Sequence, residues 1–471
     1  DGAQAFDSPV FNFTDTVKDA SYLFANTVVF NQDLFDLYLG SVEDISYMFD
    51  GAIAFNSKVF DFGNKTTNAS YLFANTVVFN QDLSDVNIKD VTNVEYMFNN
   101  AKSFNNKLFK LRPNQKKIRY LMAGGGVFNQ DISYWDVSAV TDMTGLFKDS
   151  ENFNNGNTSL ETWITDNVVF VDEMFENSKV FNQPLFKLSN KVKSLNNVFK
   201  NSYEFNQDLN NWDVSNITTM ISTFENTHKF NGDISLWNVS KVKDMSYMFK
   251  GSRVFNSDIS KWNVSNVTNM SHMFYETPVF NSDISKWNVK SILDMSAMFA
   301  YTGSFEIDIR KWKVKNVTKI VYNIPNSNIL IYLFHNNNNE ILKSYFSALK
   351  SNDSSSTPQQ SELSVFFADS IDSKQSLEKV VDNYLELFYG DRDNEELYNI
   401  LEKLVTDNKL DPEEINKNIN LIKLFIEKGI DINSTNINEG PREGWSIQRY
   451  ATEINNEELL NFVNEEIKNN K

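Results

Sequence analysis

The chain has 471 residues, a net charge of −18 and a pI near 4.7, which argues against nucleic acid as its main partner because such affinity needs clustered Lys and Arg. Cysteine is absent, which removes disulfide frameworks, thiolate zinc sites and cysteine catalysis. Hydrophobic residues at 41%, with 39 Phe, supply a long continuous core and argue against global disorder.

In chain order, the first segment, Asp1-Gly2-Ala3-Gln4-Ala5-Phe6, matches Asp50-Gly51-Ala52-Ile53-Ala54-Phe55, which lies inside a repeat. The sequence thus opens in mid-repeat, and a processed or truncated chain is expected. No segment reads as a signal peptide, and the longest apolar run, Ile329 to Phe334, is too short to span a bilayer. No transmembrane segment is expected.

A Phe usually followed by Asn recurs at Phe6, Phe30, Phe55, Phe79, Phe104, Phe128, Phe153, Phe181, Phe205, Phe230, Phe255, Phe280 and Phe305. The spacing is 24 or 25 residues except for one step of 28. A second Phe precedes most of these anchors by six residues, with Met122 replacing it once. Between anchors, apolar residues fall at gaps of two to four, as in Phe255, Ile259, Trp262, Val264, Val267, Met270, Met273 and Phe274. Such gaps fit neither a sustained helix nor a long strand. They predict a repeat solenoid, leucine-rich-repeat-like, with one short strand plus a helical turn per rung of about 25 residues. Residues 20–34 recur identically at 69–83, an offset of two repeats.

Asp recurs three residues after many anchors, and Asn one residue after. Stacked, these side chains bond turn amides that corners leave unpaired. Calcium binding is the sharper alternative, but the glycine-rich nonapeptide of calcium-binding β-rolls is missing.

The motifs Phe128-Asn129-Gln130-Asp131-Ile132-Ser133 through Trp135-Asp136-Val137-Ser138, and Asn266-Val267-Thr268-Asn269-Met270-Ser271-His272-Met273-Phe274, resemble the BspA-like leucine-rich-repeat surface proteins. The nearest variant is the 25-residue form of mycoplasma lipoproteins and of some large DNA viruses of protists. That resemblance covers residues 1 to about 320 and implies a solenoid with adhesion or protein binding. It supplies no catalytic residues. Departures fall at 104–127, where Leu111 and Pro113 replace the expected Trp and Val, and at the longer repeat 153–180.

Three parts follow: the solenoid at 1–325, a cap and Ser/Asn-rich linker at 326–360, and an acidic helical domain at 361–471. From Glu378 to Lys471 there are 21 acidic and 11 basic residues. Glu378–Phe388 and Glu395–Leu404 show helical spacing, and Asp411-Pro412-Glu413-Glu414 is a helix start. The run from Asn420 to Asn433 resembles the second helix and hairpin of an ankyrin repeat, and Gly444 to Ala451 stands where a next first helix begins. Ser446-Ile447-Gln448-Arg449 replaces the usual Thr-Pro-Leu-His there. A small all-α domain is expected.

No catalytic or metal constellation emerges, and neither a cofactor nor enzymatic activity is expected. His228, His272 and His335 lack partners at ligand spacing, and Gly124-Gly125-Gly126 lacks the Lys-Ser/Thr of a phosphate loop. Lys107, Lys110, Arg112, Lys116, Lys117 and Arg119 form a basic run without an acid, a docking point for an anionic partner or a solvated loop. If Val-x-x-Met is the strand and its Met points inward, the flanking residues point outward. Those residues are Asp142 and Thr144, Asp244 and Ser246, Asn269 and Ser271, and Asp294 and Ser296, a polar ladder suited to protein recognition. The expected function is non-enzymatic protein binding or adhesion toward a host or partner protein; the alternative is a structural, self-assembling component of a virion, fibre or cell-surface layer. Virion or cell surface is the favoured location, with host cytoplasm as another.

Overall fold

Two phenylalanines organise the repeats, with Met122 in place of one of them before Phe128. The anchor Phe stacks on the anchor of the next repeat from Phe6 to Phe305, at ring-centroid distances of 5.7–6.1 Å. The Phe six residues earlier packs against it within the repeat, as in Phe249 and Phe255 at 3.8 Å. These rings are buried almost throughout. The computed structural model describes residues 5–10, 12–305, 307, 309, 312–314, 316–319, 419–420, 422–424, 426–427, 446–454 and 457–469. Contacts divide the chain into two units, Asp1–Ile307 and Asp308–Lys471.

In the first unit, parallel single-residue bridges join equivalent positions of successive repeats. They run Asp19, Asp44, Asn68, Asn93; then Lys117, Asp142, Phe170; then Ser194, Thr219, Asp244, Asn269, Asp294. Beyond each bridge the amides alternate between two kinds of partner. Met245, Tyr247, Phe249 and Gly251 donate to carbonyls of Asn269, Ser271, Met273 and Tyr275 in the following repeat, at 2.8–2.9 Å. Met248, Lys250 and Ser252 donate three residues back, to Met245, Tyr247 and Phe249, at 3.0–3.3 Å. Ser246 N–H belongs to neither set and donates to Asp244 Oδ1 at 2.8 Å. Every amide from Met245 to Ser252 is therefore bonded, as buried backbone requires.

This pattern differs from a strand plus a helical turn. Among the described residues of the first unit, pairing is confined to these bridges, and the one helical turn is Asn155–Asn157. The physical reason is a left-handed residue three positions after each bridge, such as Tyr247 at φ 59°. It makes consecutive β-turns and prevents the alternation of an extended strand.

The 28-residue step leaves stacking intact: Phe153 and Phe181 lie 5.7 Å apart with rings 1° from parallel. The turn at Asn155–Asn157 falls within this longer repeat, and buried Asn155 is bonded on both ends of its amide. Its Oδ1 accepts Ile132 N–H at 2.9 Å and its Nδ2 donates to Thr158 O at 2.8 Å. In the irregular repeat at 104–127, Leu111 is buried where Trp is expected, and Pro113 is exposed. Buried Gln115 donates to Val91 O and accepts Arg112 N–H. From residue 135 onward Trp enters the core. Trp212, Trp237, Trp262 and Trp287 each donate Nε1–H to a carbonyl of the preceding repeat, at 2.8–3.2 Å. The Trp135 indole N–H is buried and does not make this bond; the equivalent carbonyl, Leu108 O, accepts from Tyr134 Oη at 2.8 Å.

In the second unit, helix α1 spans Ile447–Ile454 and α2 spans Glu457–Asn469. Residues 419–420, 422–424 and 426–427 are also helical. Ser446 Oγ accepts Arg449 N–H at 3.3 Å, a serine N-cap. Ile447, Tyr450 and Ala451 form the buried stripe of α1, and Gln448 Nε2 donates to Asn464 Oδ1 of α2 at 2.8 Å. The helix signals at 378–388, 395–404 and 411–414, and the linker at 326–360, lie outside the described residues.

Candidate functional site

Three side-chain columns are built by the turns that follow each bridge. The first is the bridge residue itself. Ser21, Ser46, Thr144, Ser246, Ser271 and Ser296 donate their N–H to Asp19, Asp44, Asp142, Asp244, Asn269 and Asp294 Oδ1, at 2.7–3.0 Å. Column neighbours also bond: Asn269 Nδ2 donates to Asp244 Oδ2 at 3.0 Å, and Asn68 Nδ2 to Asp44 Oδ2 at 2.9 Å. The polar residues proposed for binding are thus turn caps. Asp142, Ser246 and Ser271 are buried, and Thr144, Asp244, Asn269, Asp294 and Ser296 are half-buried. Ser246 and Ser271 do not point outward as strand alternation expects, because the left-handed residue after them turns the chain.

The second column lies three positions beyond the bridge: Tyr22, Tyr47, Tyr71, Tyr96 and Tyr120 stack at 4.4–4.8 Å. All five have φ of 52–60°. Tyr22 is exposed and the other four are half-buried. Burial is the main cause that pushes the Tyr71 and Tyr120 phenols up to about 12; the Tyr47 ring adds to it at Tyr71, and Glu173 at Tyr120. Arg119 sits over the Tyr96 ring at 5.9 Å and pairs with Glu95 at 2.6 Å. The column breaks at Gly145 and resumes with Tyr247 and His272, stacked at 4.6 Å.

The third column lies three positions further and alternates in charge: Lys148, Glu176, Lys200, Glu225, Lys250. Lys148 pairs with Glu173 at 2.6 Å and Glu176 at 2.9 Å. Glu225 pairs with Lys200 at 3.1 Å and Lys250 at 3.2 Å. Burial pushes the Glu225 carboxyl up, but Ser222, Lys200 and Lys250 outweigh it and hold it below its ordinary value.

All six residues of the basic run are exposed, and within it Arg119 is ion-paired. They spread along half of one repeat; Lys116, Lys117 and Arg119 reach the side that carries the tyrosines. His228 stacks on Tyr203 at 4.5 Å, and burial holds both His228 and His272 below the ordinary histidine value. His335 lies outside the described residues. No group of three or more His, Cys, Asp or Glu stands at metal-holding geometry among the described residues. No described helix is long and apolar enough to cross a membrane.

Sequence reasoning missed the tyrosine column. Its signal was present, since Tyr recurs at 22, 47, 71, 96 and 120 in step with the anchors.

This is a repeat protein whose described repeats bond side by side through equivalent backbone positions. The chain belongs to the family described as Mycoplasma protein of unknown function, DUF285, whose model matches residues 1–111, 113–191, 186–277 and 255–355. No curated protein and no solved structure matches it.

Proposed function

We propose that the repeats form a leucine-rich-repeat-like solenoid, followed by a small all-α domain, and that the chain is a non-enzymatic protein-binding or adhesive surface. The tyrosine column carries this reading. A left-handed residue with a side chain costs on the order of 1 kcal/mol or more, and Asn or Gly is the usual solution. Four positions further on, the same turns use Asn26, Gly51, Asn75, Asn100 and Gly124, also left-handed. Tyrosine at the first position is therefore a costlier choice made five times in succession. Stacking recovers part of that cost, and a row of half-exposed phenols with low side-chain entropy suits protein recognition. The polar turn caps and Lys116, Lys117 and Arg119 of the basic run border this face and extend it.

Photo-crosslinking in the source cells tests the reading, with a photo-reactive phenylalanine analogue in place of Tyr47 or Tyr96 and, as reference, of exposed Leu236. Protein adducts should form from the tyrosine column and not from Leu236. Equal adducts from all three positions, or none, would overturn it. A second reading, an architectural self-assembling component, is favoured by the charge gradient along the same face.

A further inference from the structure

From the Tyr47 repeat to the Tyr120 repeat the tyrosine face changes sign. In the Tyr47 repeat it carries Glu43, Asp44 and Asp50, with Glu43 paired to Lys18 of the Tyr22 repeat at 3.3 Å; in the Tyr120 repeat it carries Lys116, Lys117 and Arg119. Between them, the Tyr71 repeat contributes Thr67, Asn68 and Ser70, and the Tyr96 repeat contributes Thr92, Asn93 and Glu95, the last already paired with Arg119. Glu43, Lys116, Lys117 and Arg119 are exposed, and Asp44 and Asp50 half-buried. Glu43 and Lys116 occupy equivalent positions, each one residue before its bridge, at Asp44 and Lys117. Burial raises the Tyr47 phenol, and nearby Tyr22 and Asp50 add to it; Arg119 lies over Tyr96.

Ring stacking narrows the class of partner. Faces stacked at 4.4–4.8 Å cover one another, so sugar rings and bases, which bind aromatic faces, find only edges and hydroxyls. A partner whose own groups repeat at this interval can meet several phenols at once, and a second copy of the column has that interval.

We propose that this face pairs with its own copy, two chains lying antiparallel about a two-fold axis that passes between Tyr71 and Tyr96. The inference rests on the reading of the tyrosine column as a protein-interaction surface. A two-fold axis lying in the face and perpendicular to the stacking direction inverts repeat order and keeps equivalent positions together. Tyr71 then faces Tyr96, Tyr47 faces Tyr120, Glu43 faces Lys116 and Asp44 faces Lys117. Each ion pair is made twice. An overlap of four tyrosine repeats is small for a stable interface, so the association is weak and sensitive to salt.

Sedimentation equilibrium of the full chain tests this. A monomer–dimer equilibrium is expected at low ionic strength, weakened roughly tenfold or more in concentrated salt. Glu43→Lys and Lys116→Glu should each weaken it about tenfold by placing like charges opposite one another. Mixed one to one, the two variants should recover association as a heterodimer, since Lys at 43 then faces Glu at 116 and Lys116 faces Glu43. Both side chains are exposed, and a thermal melt checks folding; if either variant loses its transition, the salt titration of the unaltered chain decides alone. A chain monomeric at every concentration, a dimer indifferent to salt and to both reversals, or a mixture that stays monomeric would overturn the proposal. If the unaltered chain stays monomeric while photo-crosslinks from Tyr47 reach a different protein, self-pairing falls and the binding reading stands. If those positions give no adduct at all, both fall.

Discussion

A Cβ built on Gly145 would stand 2.2 Å from Tyr120 Cε1. Tyr120 therefore lies across the position that a sixth ring would need, and its Oη donates to Glu173 Oε2 at 3.1 Å in the repeat beyond. The column ends here because this position has no side chain, and its φ of 58° is one that glycine adopts without strain.

Gly145→Ala should displace Tyr120 and cost about 1–3 kcal/mol, the range for a residue held in an unfavourable backbone region. Urea unfolding of the single variant and of the same change in a Tyr120→Ala background separates the terms. The cost should shrink in the double variant; an equal cost in both would place the effect in the backbone alone.

Phe255 is fully buried, with Phe249 at 3.8 Å and the neighbouring anchors Phe230 and Phe280 at 6.1 and 6.0 Å. Phe255→Ala should cost about 3–5 kcal/mol. Calorimetric melting that shows no loss would contradict a shared aromatic core.

From Asn31 to Asn256, the Asn after each anchor accepts the N–H of its counterpart in the following repeat, at 2.7–2.9 Å. Asn231→Ala leaves the Asn256 amide without this acceptor and should cost about 1 kcal/mol. Asn231→Asp keeps the acceptor and should cost much less. Asp7 already fills this place for Asn31 N–H, at 3.0 Å. Equal denaturation midpoints for the Ala and Asp variants would disprove the acceptor role.

Acid should destabilise the repeats. Bonds from the serine two residues on, through hydroxyl and backbone N–H, hold Asp82, Asp233, Asp258 and Asp283 below the ordinary carboxylate value. A depressed folded value means that this stabilisation is full above the unfolded value of about 4 and is lost as pH falls below it. Melting temperature should drop between about pH 4 and pH 2, with a shallower drop after replacement of all four by Asn. Identical slopes would remove these carboxylates from the acid response.

Alkali acts on the tyrosine column in the opposite sense. With Tyr71 and Tyr120 pushed up to about 12, their contribution is full below the unfolded value of about 10 and is lost as pH rises through 12. Spectrophotometric titration should show a late class of phenols that disappears in a Tyr71→Phe, Tyr120→Phe variant. A single transition near pH 10 in the unaltered chain would refute the buried, stacked arrangement.

The anchors and their pairing were legible in the residue order, because a buried Phe recurring in step leaves water by stacking on its counterparts. It also determined what Asn and Asp do, since short polar side chains next to turns bond nearby amides. The helix beginning at Ile447 was expected from the ankyrin resemblance alone; its cap at Ser446 and its buried face of Ile447, Tyr450 and Ala451 came from the structure. Tertiary structure alone decided that Val-x-x-Met is a bridge leading into turns. Local preference opposes a left-handed tyrosine, and only the amides and rings of the adjoining repeats compensate for it. It alone also decided that Ser246 and Ser271 are buried while Tyr47 and Tyr71 form the half-exposed row, because which side chain faces water depends on the sign of φ at one residue per repeat, and that sign is set between repeats rather than within one.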